Sequence, residues 1–177
     1  MKFLLSPIVL LCSACLVFAD PKIEVYFSPK GGCTEAVVEN LNKATSSVLV
    51  QAYSFTSAPI ARALVDAKRR GLQIQVLLDK SQRTGRYSEG DFLQHNAIPT
   101  YIDAEHAIAH SKIMIIDNQT VITGSFNFSK QAEQENAENL LVIRDPGLAA
   151  KYAVNWREHF KHSTAYTRKA GATHSAK

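Results

Sequence analysis

The sequence predicts an α/β fold in one domain, and three observations support this. Strand-like and helix-like segments alternate in the first half of the chain as β-α-β-α-β. In the second half, two apolar runs enclose a short polar turn, which is typical of a buried β-hairpin. The chain has 177 residues, enough for one domain with a hydrophobic core.

The first half supplies three strands and two helices. Alternating or β-branched apolar runs predict strands at 22–27, 47–53 and 73–78. Apolar residues at helical spacing predict helices at 34–44 and 58–70. Each helix lies between two strands, as expected for a sheet that is covered by helices.

A polar, glycine-containing loop follows at 79–91 and carries Lys80, Arg83 and Arg86. It is either a solvated connection or a loop that contacts phosphate groups, such as those of DNA. A short strand is predicted at 99–102.

The rest of the chain contains the hairpin at 110–129, a strand at 139–144 and a helix from 146 to about 162. The tail, 164–177, lacks an apolar period and is expected to be disordered.

The first 19 residues have the pattern of a cleavable signal peptide. Lys2 precedes an apolar run, and Val17-Phe18-Ala19 offers a cleavage site before Asp20. We therefore expect a mature domain at 20–163 that is periplasmic or secreted. Ser13-Ala14-Cys15 leaves a lipoprotein as the alternative.

Loss of the signal peptide removes Cys12 and Cys15 and leaves Cys33 as a free thiol, so no disulfide within the chain is expected. The net charge of the whole chain, +4, is compatible with a polyanionic partner without requiring one.

Four polar residues flank the predicted hairpin and suggest a reaction site. If the turn is centred on Asn118-Gln119, paired residue numbers sum to 237. Lys112 then lies opposite Ser125, and His110 lies opposite Asn127. A neutral imidazole can act as a nucleophile, and the other three side chains can bind the oxygens of a phosphodiester.

Asp117 has the opposite parity and lies at the turn, so direct contact with the same phosphate is not expected. It either caps the turn or contacts and orients the side chains that bind the substrate, without touching the substrate itself. Glu138 has no distinguishing local pattern.

The motif His110-x-Lys112-x4-Asp117, followed by Gly124-Ser125-Phe126-Asn127, resembles the signature of the phospholipase D superfamily. Length, signal peptide and single motif are most similar to the small bacterial Nuc-type endonucleases. Gln51 to Thr56 also resembles the family's segment before its first long helix.

This resemblance implies a mixed β-sheet flanked by helices on both faces and a covalent phosphohistidine intermediate. It implies that His110 is the nucleophile and that Lys112, Ser125 and Asn127 bind phosphate. Asp117 belongs to the motif's catalytic set, and Glu138 matches an acid that orients the imidazole.

In-line displacement needs a nucleophile on one side of phosphorus and an acid on the other. Larger superfamily members carry two motifs, whereas this chain has one, so we expect a homodimer that shares two copies of His110 across a two-fold axis. We expect no metal or other cofactor, because the remaining histidines, His95, His106, His159, His162 and His174, do not show ligand-like spacing.

The leading function is a non-specific endonuclease acting on single- and double-stranded DNA, with RNA as a further candidate substrate. One alternative is a phospholipase D-type or other phosphodiesterase, although no interfacial apolar helix is evident and no stable membrane association is expected. The other is a non-catalytic nucleic-acid-binding module, which the intact His110–Lys112–Ser125–Asn127 set disfavours.

Overall fold

An eight-stranded mixed β-sheet forms the centre of the protein. The structure is a computed structural model, and it describes residues 22–85 and 87–167. The strands are β1 (Lys22–Ser28), β2 (Ser47–Ala52), β3 (Gln73–Asp79), β4 (Thr100–Asp103), β5 (Lys112–Ile116), β6 (Thr120–Gly124), β7 (Glu138–Arg144) and β8 (Thr164–Ala165). Their spatial order is β1-β7-β6-β5-β2-β3-β4-β8. β2, β3 and β4 are parallel, and the other neighbouring pairs are antiparallel.

Helices cover both faces of the sheet, as predicted. They are α1 (Cys33–Lys43), α2 (Ala58–Arg69), α3 (Gly90–His95), α4 (Lys130–Gln134) and α5 (Pro146–Lys161). α1 and α2 contribute to the larger apolar core, and α5 contributes to the smaller core on the other face. Because both faces are covered, β5 is apolar from Ile113 to Ile116, with alternate residues entering the two cores.

The predicted strands and long helices of the first half are confirmed, with boundaries that differ by one or two residues. α3 and α4 were not predicted. They have six and five residues, too few to show an apolar period. α4 nevertheless has a local start signal, because the Ser129 side chain accepts a hydrogen bond from the Ala132 amide at 3.1 Å.

The hairpin prediction was correct, but its register was wrong by one residue. Met114 pairs with Ile122 and Ile116 with Thr120, so paired numbers sum to 236 instead of 237. The cause is the turn, where Asp117 and Asn118 both adopt positive φ angles of 55° and 53°. Such left-handed residues favour tight hairpin turns, and side-chain alternation alone does not reveal them.

The prediction that a disordered tail begins at residue 164 was also wrong. Thr164–Ala165 forms β8 against β4, and the amide of Tyr166 donates to the carbonyl of Thr100 at 2.8 Å. The Tyr166 side chain is buried next to Gly90, where a Cβ atom would approach its ring to 2.7 Å. The domain therefore extends beyond residue 163.

The remaining predictions about the termini, namely the signal peptide at 1–19 and the tail from residue 168, lie outside the described residues. Cys33 is a free, buried thiol, as predicted. Burial, reinforced by the nearby carboxylate of Glu133, raises its pKa to about 11.

Candidate active site

The polar residues that flank the hairpin surround one open cavity at the edge of the sheet. β5 begins at Lys112, β6 ends at Gly124 and β7 begins at Glu138, so these antiparallel strands meet at one end of the sheet. The cavity has a volume of about 650 Å³. Its polar lining includes His110, Lys112, Ser125, Asn127 and Glu138, joined by Tyr152 and Asn155 from α5.

A backbone irregularity compensates for the shifted register. Continuing the observed pairing would place Gly124, not Ser125, opposite Lys112. However, the amides of Ser125 and Phe126 both donate to the carbonyl of Asn139 at 3.1 Å. Two residues thus face one, which is the arrangement of a β-bulge and redirects the following side chains. The sequence correctly grouped the residues, but the bulge is what brings them together.

Gly124 permits the close approach of β6 and β7 at this bulge. Its φ angle is 145°, and an added Cβ atom would lie 2.3 Å from the carbonyl oxygen of Asn139. A side chain at this position would collide with backbone, which cannot move aside without disturbing the strand pairing.

His110 is exposed, but the backbone on either side of it is anchored. The amide of Ala109 donates to the buried carboxylate of Asp79 at 2.8 Å. The carbonyl of Ser111 accepts from the amide of Tyr53 at 2.9 Å. The Tyr53 and His110 ring centroids lie 4.5 Å apart. The imidazole is therefore accessible to substrate while its position is restrained.

Lys112 is largely buried and directly contacts His110. Its side chain donates to the His110 carbonyl at 2.7 Å, and Nζ lies 3.1 Å and 3.2 Å from the two imidazole nitrogens. Nζ also lies 5.3 Å from the centre of the Tyr53 ring, which is a cation–π contact. Burial lowers the pKa of Lys112, and the negative charge of Glu138 partly opposes this effect. The cation is thus held beside the imidazole in a poorly solvated position.

Ser125 has a hydroxyl hydrogen available for a ligand. Its Oγ accepts from the backbone amide of Asn139 at 3.0 Å and from the side-chain amide of Asn139 at 3.3 Å. A hydroxyl has two acceptor sites and one donor hydrogen, so these contacts orient the hydroxyl and leave its hydrogen free to donate.

Asn127 has a buried side-chain oxygen that makes no hydrogen bond within the described part of the chain. Leaving such a polar group unpaired costs about 1–3 kcal/mol. The oxygen and nitrogen of an amide occupy equivalent positions, so a 180° rotation would present a donor instead. A ligand in the cavity is the natural partner for this side chain.

Glu138 lies in the same cavity. Its carboxylate accepts a hydrogen bond from the Asn136 side chain at 3.0 Å. The role suggested by the family, orientation of the His110 imidazole, stays a prediction. The charge of Glu138 acts on Lys112, as its opposing effect on the pKa of that residue indicates.

Asp117 does not belong to the cavity. It follows β5 at the end opposite to His110, and its carboxylate accepts five hydrogen bonds of 2.8–2.9 Å from Thr45, Ser46 and Ser47. Burial alone would raise its pKa, but the three backbone amides and the Ser46 hydroxyl hold the pKa at about 2. The carboxylate thus binds the segment 45–47 instead of capping its own turn, and neither of the two roles that the sequence left open is supported.

The basic loop is held by contacts outside the cavity. Lys80 donates to the carbonyl of His106 at 2.9 Å, and Arg83 donates to the Thr164 hydroxyl at 2.7 Å. Arg86 lies outside the described residues. Contact of these side chains with DNA stays a prediction.

The expectation that the remaining histidines show no ligand-like spacing was wrong for three of them. His106, His159 and His162 converge on the carboxylate of Asp103. Burial would raise the pKa of Asp103, but hydrogen bonds from His159 and His106, together with the nearby ring of His162, hold it at about 2. Asp103-x-x-His106 and His159-x-x-His162 are short chelating pairs in sequence, but their approach to each other depends on the fold.

Comparison with known proteins identifies the family. The family described as "Cardiolipin synthase, PLD-like domain" matches residues 37–162. The chain belongs to the phospholipase D superfamily. It is therefore a phosphodiesterase, a hydrolase whose fold and motif are those of the superfamily.

Specific phospholipase D-like relatives agree with this assignment. A protein named phospholipase D from Rickettsia conorii is 42% identical over 135 residues, which are 76% of this chain and 68% of that protein. The crystal structure of Nuc, a phospholipase D family member from Salmonella typhimurium, has a TM-score of 0.80 and 37% identity, covering 83% of this chain and 99% of Nuc. NucT from Helicobacter pylori has a TM-score of 0.77 and 24% identity. The match covers 83% of this chain and 100% of NucT, and it supports the fold.

Sequence reasoning missed several residues of this phospholipase D-like site. Asp79, the last residue of β3, accepts a hydrogen bond from the backbone amide of Ala109, the residue before His110. Tyr152 and Asn155 of α5 line the cavity. Asp79 ends a buried strand, which was a usable signal. Tyr152 and Asn155 had no such signal in the sequence, because the spacing of apolar residues in a helix does not show which of its side chains will lie next to the end of the sheet.

Proposed function

We propose that the protein is a non-specific endonuclease that cleaves single- and double-stranded DNA through a covalent phosphohistidine at His110. The proposal rests on one observation about the cavity. In it, the exposed imidazole of His110 lies next to the buried ammonium group of Lys112, and the uncharged side chains of Ser125 and Asn127 line the same cavity. RNA, which has the same phosphodiester linkage, is a further substrate to test.

The proposed reaction has two steps. An imidazole nitrogen of His110 attacks phosphorus, a P–N bond forms and the P–O bond to the leaving nucleoside oxygen breaks. Lys112, Ser125 and Asn127 stabilise the non-bridging oxygens as charge builds on them. Water then attacks phosphorus and releases His110. Each step needs a proton carrier on the side opposite to His110.

A second copy of the chain supplies that carrier in our proposal. Within residues 22–85 and 87–167, His110 is the one imidazole that lines the cavity. Its symmetry mate in a homodimer would protonate the leaving oxygen and then accept a proton from the attacking water.

An exposed apolar patch beside the cavity supports a dimer in which the two sites meet. The β1 patch consists of Ile23, Val25 and Phe27, which are 56%, 53% and 63% exposed on an edge strand. Phe27 pairs with Asn139, which in turn hydrogen-bonds to Ser125 in the cavity. A two-fold contact through the β1 patch would bury apolar surface and bring the two cavities together.

A lipid phosphodiesterase is the second candidate, because relatives such as the Rickettsia conorii protein are named phospholipase D and because the β1 patch is apolar. None of the helices in the described residues has the length and apolar character needed to cross a bilayer. Plasmid DNA, single-stranded DNA, RNA and phosphatidylcholine vesicles should be assayed side by side. We expect cleavage of both DNA forms; turnover of phosphatidylcholine without DNA cleavage would refute the nuclease assignment.

The shared site is tested by a mixed dimer. Wild-type and His110→Ala chains carrying different tags are co-expressed, and the heterodimer is purified and studied in single-turnover cleavage. The remaining imidazole would have no opposing acid or base, so we expect a loss of about 10²–10⁴-fold. Half of the wild-type rate would mean that each subunit acts alone.

Phe27→Ser tests the dimer contact by sedimentation and by cleavage rate. It should weaken dimerisation and cleavage together. Phe92→Ser, which alters an apolar residue of α3 that is 38% exposed, is the matched control. Equal effects of the two substitutions would contradict the proposed interface.

A further inference from the structure

A group of three histidines and one aspartate lies apart from the reaction cavity. Asp103 ends β4, and His106 lies three residues later in the segment that leads to His110. His159 and His162 lie at the carboxyl end of α5, again three residues apart. One potential ligand atom from each of the four residues lies within 4.8 Å of the others. None of the four is among the described residues that line the reaction cavity.

The distances in this group suit a small cation. Asp103 Oδ2 lies 2.7 Å from His159 Nδ1 and 3.2 Å from His106 Nδ1, and Asp103 Oδ1 lies 3.4 Å from His162 Nε2. Ligand atoms about 2.0–2.1 Å from a tetrahedral Zn²⁺ are separated from one another by about 3.3 Å. The three distances to Asp103 lie close to this value, and ligand atoms that are up to 4.8 Å apart would have to approach one another by up to about 1.5 Å to surround one ion.

The alternative is a hydrogen-bonded cluster without a metal, and two features argue against it. His162 Nε2 is buried and makes no hydrogen bond, although it faces Asp103 Oδ1 at 3.4 Å. All three rings also crowd one carboxylate that is 1% exposed, with ring centroids 4.8–5.5 Å apart. The hydrogen bonds that His159 and His106 make to this carboxylate do not require a third imidazole, whereas a four-coordinate metal uses all three.

Surrounding contacts resemble the support that metal ligands have. The other ring nitrogen of His162, Nδ1, lies 3.4 Å from the carboxylate of Glu105. Such a carboxylate on the far side of a ligating imidazole fixes the ring and increases its basicity. The Lys80 side chain holds the carbonyl of His106 at 2.9 Å, which restrains a second ligand through its backbone.

We propose that Asp103, His106, His159 and His162 bind one Zn²⁺ ion. Three imidazoles and one carboxylate suit this metal, whereas Mg²⁺ and Ca²⁺ prefer oxygen ligands throughout. Four protein ligands make the site structural. The ion would join the end of α5 to the segment that carries His110, and so restrain the nucleophile without entering the reaction.

Direct metal titration of the full mature chain tests the proposal. The protein is stripped with chelator, dialysed and titrated with Zn²⁺ in competition with a chromophoric chelator. Co²⁺ absorption then reports the coordination geometry. We expect one Zn²⁺ per chain, a tetrahedral Co²⁺ spectrum and a higher melting temperature on Zn²⁺ binding.

Substitutions locate the site. His162→Gln and His159→Gln should each weaken Zn²⁺ binding by at least about 100-fold, and Glu105→Gln by about 10-fold, because it acts on a ligand from outside. His95→Gln is the matched control, since His95 contacts the Asp91 carbonyl on α3 at 2.6 Å and should leave binding unchanged.

Circular dichroism of each variant checks that it is folded. If His159→Gln does not fold, His162→Gln, whose native side chain is 26% exposed, still decides the question. Failure of wild-type protein to bind Zn²⁺, or equal binding by wild type and folded His162→Gln, would overturn the proposal. Neither result depends on nuclease activity.

Discussion

Replacing Asp117 with Asn separates a structural role from a catalytic one. The carboxylate accepts five hydrogen bonds from Thr45, Ser46 and Ser47, where the chain passes from α1 into β2, and thereby ties the hairpin turn to that segment. Asn would keep one acceptor oxygen but would place an NH₂ group against backbone amides that also donate. We therefore expect a loss of stability with little change in the cleavage rate of the folded protein.

The expected magnitude follows from the pKa of Asp117, which is about 2 instead of the ordinary 3.8. Each pKa unit corresponds to about 1.4 kcal/mol, and the shift then gives about 2.4 kcal/mol as an upper value. Asp117 is partly exposed, and solvent screening reduces this figure to about 1–2 kcal/mol.

The pH dependence has a definite sign. Because the folded-state pKa lies below the unfolded-state value, the carboxylate stabilises the fold at pH values above about 4. This contribution is lost as the pH falls from about 4 towards 2. The stability difference between wild type and Asp117→Asn should therefore be largest near neutral pH and should shrink in acid.

Urea unfolding of both proteins at pH 7 and at pH 3 measures this difference. Asp66→Asn is the control, because that exposed carboxylate pairs with Arg69 on the surface of α2 and should contribute little. Single-turnover cleavage is measured under conditions where every protein is folded. A loss of more than about 100-fold in cleavage with unchanged stability would refute the structural role and return Asp117 to the reaction.

Three further predictions concern other parts of the chain. Cleavage should persist in EDTA, because the reaction cavity is separate from the group formed by Asp103, His106, His159 and His162; activity lost in EDTA and restored by Mg²⁺ would contradict the mechanism. Mass spectrometry of exported protein should find a mature chain starting at Asp20; a lipidated Cys15 or a retained leader would disprove the cleavage site. Gly124→Ala should destabilise the fold by more than Gly71→Ala, since both have positive φ but only Gly124 faces a backbone clash; equal unfolding midpoints would contradict this.

Local sequence patterns were sufficient for most of the sheet and for the residues that meet at its edge. The alternating and apolar runs identified the main strands, and the polar residues around 110–127 identified the cavity. The register was not recoverable, because it depends on positive φ angles at Asp117 and Asn118. With the observed register alone, Ser125 and Asn127 would not lie opposite Lys112 and His110. The bulge at Ser125 and Phe126 offsets this shift.

Long-range contacts explain what the sequence left hidden. The carboxylate of Asp117 meets residues about 70 positions earlier, and Asp103 meets histidines more than 50 positions later. Neither relation has a local signature. Tyr166 was assigned to a disordered tail because the tail lacks an apolar period, yet a single aromatic ring suffices to anchor a short segment when a matching space exists beside Gly90.

The two-residue strand β8 changes how the sheet is protected from other chains. Without it, β4 would be an outer strand with unpaired amides and carbonyls, a template for self-association. β8 pairs with part of the outer edge of β4, and because β8 has only two residues, it exposes few unpaired amides and carbonyls of its own. Shortening the protein to residue 163 would remove both this cover and the Tyr166 anchor. Fusion partners and truncations should therefore leave the chain intact through residue 167, and aggregation of a shorter version would reflect an uncovered strand instead of a damaged active site.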